Sequence, residues 1–238
     1  MKKVAIIGAN GFLGSNLLRY GLNDSQIFFY PVINYNSTNI SSEIKTYSFD
    51  DFLKIPNEEL DCIVFAPGSF RDSKSQLIAI NFNLLLKIKT VFQNVRLIYI
   101  SSTNIYGNHK TTIKLETELS ITTDYAKAKL GGEFIASSFL SFSIIRFTYL
   151  YGPNLDNGSF IPLIIKEALN KRKITLFNKG TRVQDYLFIE DAVNLCVNAI
   201  YSKINATVLG VSCEKIDNNY VAELILKNIE NSKLEYIN

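Results

Sequence analysis

The run Lys3-Val4-Ala5-Ile6-Ile7 is short, apolar and rich in β-branched residues, and it reads as a buried strand. Gly8-Ala9-Asn10-Gly11-Phe12-Leu13-Gly14 follows, and Ser15-Asn16-Leu17-Leu18-Arg19-Tyr20 then reads as a helix. A strand that passes into a helix through three glycines has few folds open to it. Gly8 permits a tight turn. Gly11 lets an anionic group reach the backbone N–H groups of the helix N-terminus, and Gly14 lets helix and strand pack closely. In the order strand, glycine turn, helix, the pattern suits the pyrophosphate of a dinucleotide and opens a parallel sheet with helices on its faces. Gly8, Asn10, Gly11, Phe12, Leu13 and Gly14 are the candidate cofactor contacts, at G-x-x-G-x-x-G rather than G-x-G-x-x-G spacing.

The alternation continues to about residue 150. Residues 26–30, 44–49, 61–66, 95–100 and 143–148 read as further strands, and 75–92 and 124–140 as long helices. An acid at the end of the second strand would grip the adenosine ribose of NAD, and an Arg would favour NADP. That end reads Pro31-Val32-Ile33-Asn34, so the choice between the two cofactors stays open. Residues 34–42 are rich in Asn, Ser and Thr and read as a loop. Of Asp50 and Asp51, one can contact the adenine amine while the other caps the next helical turn; Asp50 is the choice for adenine. Ala66 and Pro67 begin an exit loop expected to lie over the cofactor. Asn81, inside the helix 75–92, is a further cofactor candidate whose plainer readings are a solvated or a buried structural residue.

Hydroxyl-bearing residues stand where the strand 95–100 ends, in Ser101-Ser102-Thr103-Asn104-Ile105-Tyr106-Gly107. Some twenty residues on comes Asp124-Tyr125-Ala126-Lys127-Ala128-Lys129, where Tyr125 and Lys129 share a helix face. A phenol titrates near ~10, and a neighbouring ammonium is expected to lower that value. A tuned Tyr exchanges a proton with a substrate hydroxyl or carbonyl, and a Ser hydroxyl holds the same oxygen. With a hydride carrier alongside, this is equipment for oxidising an alcohol or reducing a ketone. Taken alone, the pair equally describes an exposed helix face. Gly131-Gly132 inside the same helix costs up to ~1 kcal/mol per glycine relative to Ala, which close contact with another helix would offset.

Composition narrows the classes. At 238 residues, 47% apolar and 20% charged, the chain suits one sizeable core with a small appended lobe. A net charge of +3 is too slight to argue for nucleic acid, and the tight basic cluster Lys171-Arg172-Lys173 reads as the solvated end of a helix. Cys62, Cys196 and Cys213 lack metal-ligand spacing and suggest reduced thiols in a cytoplasmic protein. His109, beside Asn108 and Lys110 in a polar loop, gives no basis for a His-centred triad or metal site. Neither signal-peptide anatomy nor a membrane-spanning run is evident. After Pro153 the rhythm loosens: a helix to about 171, strands near 174–177 and 187–189, a helix from 190, a strand at 208–211 and a last helix at 221–229.

With these residues in view, the chain resembles the extended short-chain dehydrogenases, the group of NAD-dependent sugar-nucleotide epimerases and dehydratases. The resemblance rests on Gly8 to Gly14, Ser101 to Gly107, Tyr125 with Lys129, Arg146 followed by Tyr151-Gly152-Pro153, and Asp185-Tyr186-Leu187-Phe188-Ile189-Glu190-Asp191. It implies an α/β fold, a Rossmann-type doubly wound parallel sheet with a small C-terminal substrate-binding lobe. The sheet domain would be 1–150 joined by 182–212, and the lobe 151–181 with 213–238. It implies Ser102 as catalytic hydroxyl, Tyr125 as base and Lys129 as the residue that holds the nicotinamide ribose, with NAD or NADP as cofactor. It also implies a nucleotide-sugar substrate over the cofactor and a homodimer through the helices 75–92 and 124–140. Substrate contacts would come from Thr103, from Tyr149 where the family often has Asn, and from Arg182, two residues before the Gln184 that stands where the family often has Arg. Dehydratases of the family carry Asp-Glu directly after the catalytic hydroxyl; Thr103-Asn104 here supplies no acid, which leaves an epimerase or a 4-ketoreductase. A dinucleotide-binding redox sensor without catalysis is the alternative of a different class, and retention of the Tyr-Lys pair weighs against it.

Overall fold

The computed structural model describes residues 1–22, 25–34, 39–109 and 111–237. In chain order its elements are β1 (Lys2–Ile7), α1 (Phe12–Leu22), β2 (Ile27–Val32), α2 (Phe49–Phe52), β3 (Cys62–Phe65), α3 (Lys74–Ile78), α4 (Leu85–Val91), β4 (Arg96–Ser102), α5 (Asp124–Ala136) and β5 (Phe142–Phe147). There follow β6 (Tyr149–Tyr151), α6 (Phe160–Lys171), β7 (Lys173–Phe177), β8 (Val183–Gln184), β9 (Tyr186–Phe188), α7 (Ile189–Tyr201), β10 (Ala206–Gly210), β11 (Ile216–Asp217), α8 (Asn218–Leu226) and β12 (Lys233–Ile237).

Contacts divide the chain into two units, Met1–Thr148 with Ile189–Gly210, and Tyr149–Phe188 with Val211–Asn238. The first holds a six-stranded sheet in the order β2-β1-β3-β4-β5-β10, parallel throughout. This is the doubly wound, Rossmann-type arrangement. Its inner strands are buried on both faces, which is why they read as continuous apolar runs rather than as alternation. Strand order reverses between β1 and β3, and in such sheets the crevice at the carboxyl ends of those two strands is where ligands bind. The core of this unit includes Phe52, Phe65, Phe92 and Tyr99, all fully buried.

In the second unit β6 pairs with β9 and β7 with β12, both parallel, while β8 and β11 run antiparallel. Ile164 and Ala168 of α6, Val221 and Ala222 of α8, and Ile174 and Leu176 of β7 make its core. Residues 182–188 group with this unit, because β9 takes β6 as its partner; the sequence-based boundary places them with the sheet domain.

Several elements depart from expectation. Residues 44–49 form no strand: only Tyr47 bridges, to Val32, and α2 begins at Phe49. Ser48 caps that turn by accepting from the Asp51 N–H, so neither aspartate is the cap. The long helix at 75–92 is α3 and α4 joined by a π-helical segment, Ala79–Leu84. The closing strand β12 was not expected, since Lys233–Ile237 is half polar. Of the 34–42 loop, residues 35–38 lie outside the described residues, as does Lys110; His109 is exposed. Among the described residues, no helix is long and apolar enough to cross a membrane.

Candidate active site

The glycine turn is built by backbone bonds. The N–H groups of Gly8 and Ala9 both donate to the Val32 carbonyl, at 3.0 and 3.2 Å, tying the turn to the end of β2. Gly8 has φ 83°, the left-handed region that favours glycine. A Cβ on Gly14 would overlap the Gly8 carbonyl, so only glycine lets α1 start this close to the end of β1. These are the features of a cradle for a dinucleotide phosphate: a tight turn, no Cβ on Gly11, and an eleven-residue helix whose N-terminus opens there. Leu13 faces the core, while Phe12 and Asn10 are half-buried, and the Asn10 carbonyl accepts from Asn39 Nδ2 at 2.8 Å. Asp50 is exposed in α2, three residues past the Tyr47 bridge to β2.

The loop after β3 reaches from this turn to the helix α5. Ala66 N–H donates to the Ile7 carbonyl at 3.0 Å, and a Cβ on Gly8 would sit 3.2 Å from Pro67 Cα. The Pro67 carbonyl accepts from Lys129 Nζ at 3.2 Å. The structure thus brings Gly8, Ala66, Pro67 and Lys129 into one contiguous set.

Thr123 caps α5 by accepting from the Ala126 N–H at 3.1 Å, which fixes the turn that carries Tyr125. Ser102 ends β4. Its Oγ accepts from the N–H and from Nδ2 of Asn104, at 3.2 and 3.1 Å. With its lone pairs engaged, the hydroxyl keeps its hydrogen to donate, and Ser102 pulls the Tyr125 phenol toward the phenolate. Lys129 is buried, donates to the Ile100 carbonyl at 3.0 Å as well as to Pro67, and holds its ammonium 5.7 Å from the centre of the Tyr125 ring. Ser102, Tyr125 and Lys129 are therefore assembled. Thr103 is half-buried in the turn that follows Ser102.

The electrostatics differ from the simple expectation. Burial pushes the Tyr125 phenol up to about 12, against the pull of Ser102, and the Asp72 carboxylate adds to the rise. Burial likewise brings Lys129 down to about 8, opposed by Asp72 and Glu133. The ammonium spends two hydrogens on carbonyl oxygens, and burial is the largest influence on both groups. Asn81 is fully buried; its Oδ1 accepts from the Tyr99 hydroxyl at 2.7 Å and its Nδ2 donates to the Leu77 carbonyl at 3.0 Å.

Glu133 was not singled out from the sequence. One turn beyond Lys129 and 5% exposed, it accepts from the Ser101 hydroxyl and binds Arg146 through both oxygens, at 3.0 and 2.8 Å. Its i+4 spacing from Lys129 was the available signal. In the second unit, Arg182 Nη2 lies 3.5 Å from the Tyr149 hydroxyl, and the Tyr149 ring lies 6.1 Å from that of Tyr186. The Tyr186 hydroxyl, Gln184 Nε2 and Asn218 Oδ1 are buried without a hydrogen-bond partner. Strand register places Tyr149 opposite Tyr186, and the Asn218 N–H donates to the Arg182 carbonyl.

The model of the NAD dependent epimerase/dehydratase family matches residues 4–208. A dTDP-D-glucose 4,6-dehydratase of Dictyostelium discoideum is 24% identical over 82% of this chain and 54% of its own length. A UDP-glucuronate 4-epimerase of Thermodesulfobacterium geofontis is 27% identical over 65% of this chain and 50% of its own. The chain thus spans about half the length of these curated relatives. The crystal structure of a dTDP-glucose 4,6-dehydratase from Bacillus anthracis, in complex with NAD, superposes with a TM-score of 0.84 at 22% identity, covering 100% of this chain and 84% of that one. A model match across most of the chain decides the matter: the chain belongs to the NAD dependent epimerase/dehydratase family.

Proposed function

We propose that this chain moves a hydride at a carbon of a nucleotide sugar, C4 by preference, as an epimerase or a 4-ketoreductase using NAD or NADP. The observation that carries the reading is the assembly of Ser102, Tyr125 and Lys129 in one unit with the Gly8–Gly14 turn, joined through Pro67. The turn would hold the pyrophosphate, and Lys129 the nicotinamide ribose with the hydrogen its two carbonyl partners leave over. The dinucleotide supplies the hydride acceptor or donor. Tyr125 takes the proton of the sugar hydroxyl in oxidation and gives it back in reduction, and Ser102 steadies the same oxygen. An epimerase does both in turn on opposite faces of a rotated keto sugar; a reductase does the second once.

The second unit is the proposed substrate lobe. Arg182 and Tyr149 suit a diphosphate, and the unpaired donors Gln184 Nε2 and Tyr186 Oη would be satisfied by the same oxygens. Asn104 argues against 4,6-dehydration, because its side chain is committed to Ser102 and carries no acid. We further propose a homodimer through the α4 and α5 helices, where Leu86 and Phe134 are exposed.

The test is turnover of UDP- and dTDP-hexoses and of their 4-keto-6-deoxy derivatives, followed by proton NMR. Tyr125→Phe is expected to lower turnover about 10²–10⁴-fold. Undiminished turnover contradicts the reading. A wild-type chain that binds the dinucleotide but turns over none of these substrates favours the redox-sensing alternative.

A further inference from the structure

Beneath Lys129 lies a residue that no motif brings forward. Tyr99, in the middle of β4, is fully buried, and its ring stacks on Phe65 with centroids 5.8 Å apart. The Lys129 ammonium sits 5.3 Å from the centre of the Tyr99 ring. The phenol donates to Asn81 Oδ1 at 2.7 Å and lies 3.3 Å from the backbone carbonyl of Lys129 itself. One side chain therefore meets the lysine at both ends, its head by the ring face and its root by the hydroxyl.

The surroundings are shaped to admit it. A Cβ on Gly132 would overlap the Tyr99 hydroxyl, and one on Gly131 would overlap the ring of Phe82 in the π-helical segment. Gly132 is thus the opening in α5 that lets β4 present a tyrosine to the underside of Lys129, while Gly131 admits Phe82. The π-helical segment Ala79–Leu84 carries Asn81, whose Oδ1 fixes the phenol. Burial keeps that phenol neutral and a donor.

We propose that Tyr99 is a positioning residue for Lys129. Its ring face favours the ammonium over the neutral amine, and its hydroxyl, locked by Asn81, fixes the turn of α5 from which the lysine springs. With the Ile100 and Pro67 carbonyls taking two hydrogens, this leaves the third aimed for a ligand hydroxyl such as the cofactor ribose. The inference rests on the proposed role of Lys129 in holding the dinucleotide.

NAD binding, measured by calorimetry between pH 6.5 and 9.5 on the full chain, tests it without turnover. Tyr99→Leu removes the ring, and its alkaline loss of NAD affinity is expected to begin at lower pH than in the wild type, by about half a unit, as Lys129 gives up its proton more readily. Tyr99→Phe keeps the ring, so its pH midpoint should stay while NAD affinity falls several-fold. Gly132→Ala, which changes neither Tyr99 nor Lys129 but displaces the phenol, should weaken NAD several-fold in the wild type and add little in Tyr99→Leu. Thermal melts identify any variant that fails to fold, and the Gly132→Ala comparison stands if one Tyr99 variant does. Folded variants that bind NAD like the wild type, with the same midpoint, overturn the positioning role alone. A wild-type chain that binds no NAD overturns the proposed function and this inference with it.

Discussion

Lys129 carries the main energetic conflict of the site. A cation fully inside the protein is costly, and burial lowers its pKa from the usual 10.5 to about 8. At neutral pH it is still protonated, so the fold carries a penalty on the order of 3 kcal/mol from this one group. The folded value lies below the unfolded one, so the unfolded chain holds more protons between about 8 and 10.5. This group's contribution to stability therefore rises as pH climbs through that window and is flat below it. We predict that Lys129→Met abolishes turnover yet melts no lower than the wild type at pH 7, and that the wild type gains on the variant between pH 7.5 and 10. Urea denaturation of both at two pH values measures this; a variant markedly less stable at pH 7 contradicts it. Tyr125 and Lys129 were legible because their spacing is a helical one. Their pKa directions were not, because desolvation depends on what covers them, and spacing says nothing of that.

At the scale of elements, the site depends on how α5 is fastened to the strands beneath it. Glu133 reaches both β4, through Ser101, and β5, through Arg146, and Arg146 also donates to the Tyr106 hydroxyl. A buried pair of this kind gains little over an apolar pair, but losing one partner strands the other charge. Arg146→Leu is expected to cost about 3–5 kcal/mol, and the double variant Arg146→Leu with Glu133→Leu clearly less, as read by urea unfolding. A double variant as unstable as the sum of the two single ones contradicts the coupling. The strands of the sheet could be read from apolar runs, since both faces are buried. Residues 44–49 misled by alternation: Tyr47 and Phe49 alternate with polar residues as in a strand, yet Tyr47 bridges β2 at one point and Phe49 opens α2, both packing on the core. The paired glycines of α5 pointed to close packing; that the neighbours are Phe82 and a strand tyrosine was set by tertiary contacts.

At the scale of the whole molecule, the two units divide the labour we propose, with hydride chemistry in the sheet unit and substrate recognition in the other. Phe134 is 81% exposed and Leu86 48%, on neighbouring helices, the apolar side chains the proposed dimer would cover. Light scattering should therefore report a dimer, and Phe134→Glu with Leu86→Glu should convert it to a monomer. A monomeric wild type contradicts the proposed assembly. The second unit was the least legible part of the chain. Its strands are short, and β12 takes its partner β7 from some sixty residues away in sequence, a pairing no local pattern encodes. The orphaned polar atoms of Gln184, Tyr186 and Asn218 were invisible for the same reason.

On the proposed function, the glycine turn and the Ser102-Tyr125-Lys129 set serve a dinucleotide. The most direct measurement is to denature the purified chain, identify any nucleotide released, and titrate NAD, NADH, NADP and NADPH into whatever protein is empty. The expected result is either retained NAD in stoichiometric amount, as an epimerase that recycles its hydride requires, or an empty site that one of the four fills saturably, as a reductase requires. No dinucleotide released and none bound would make the turn a structural one and contradict the catalytic reading.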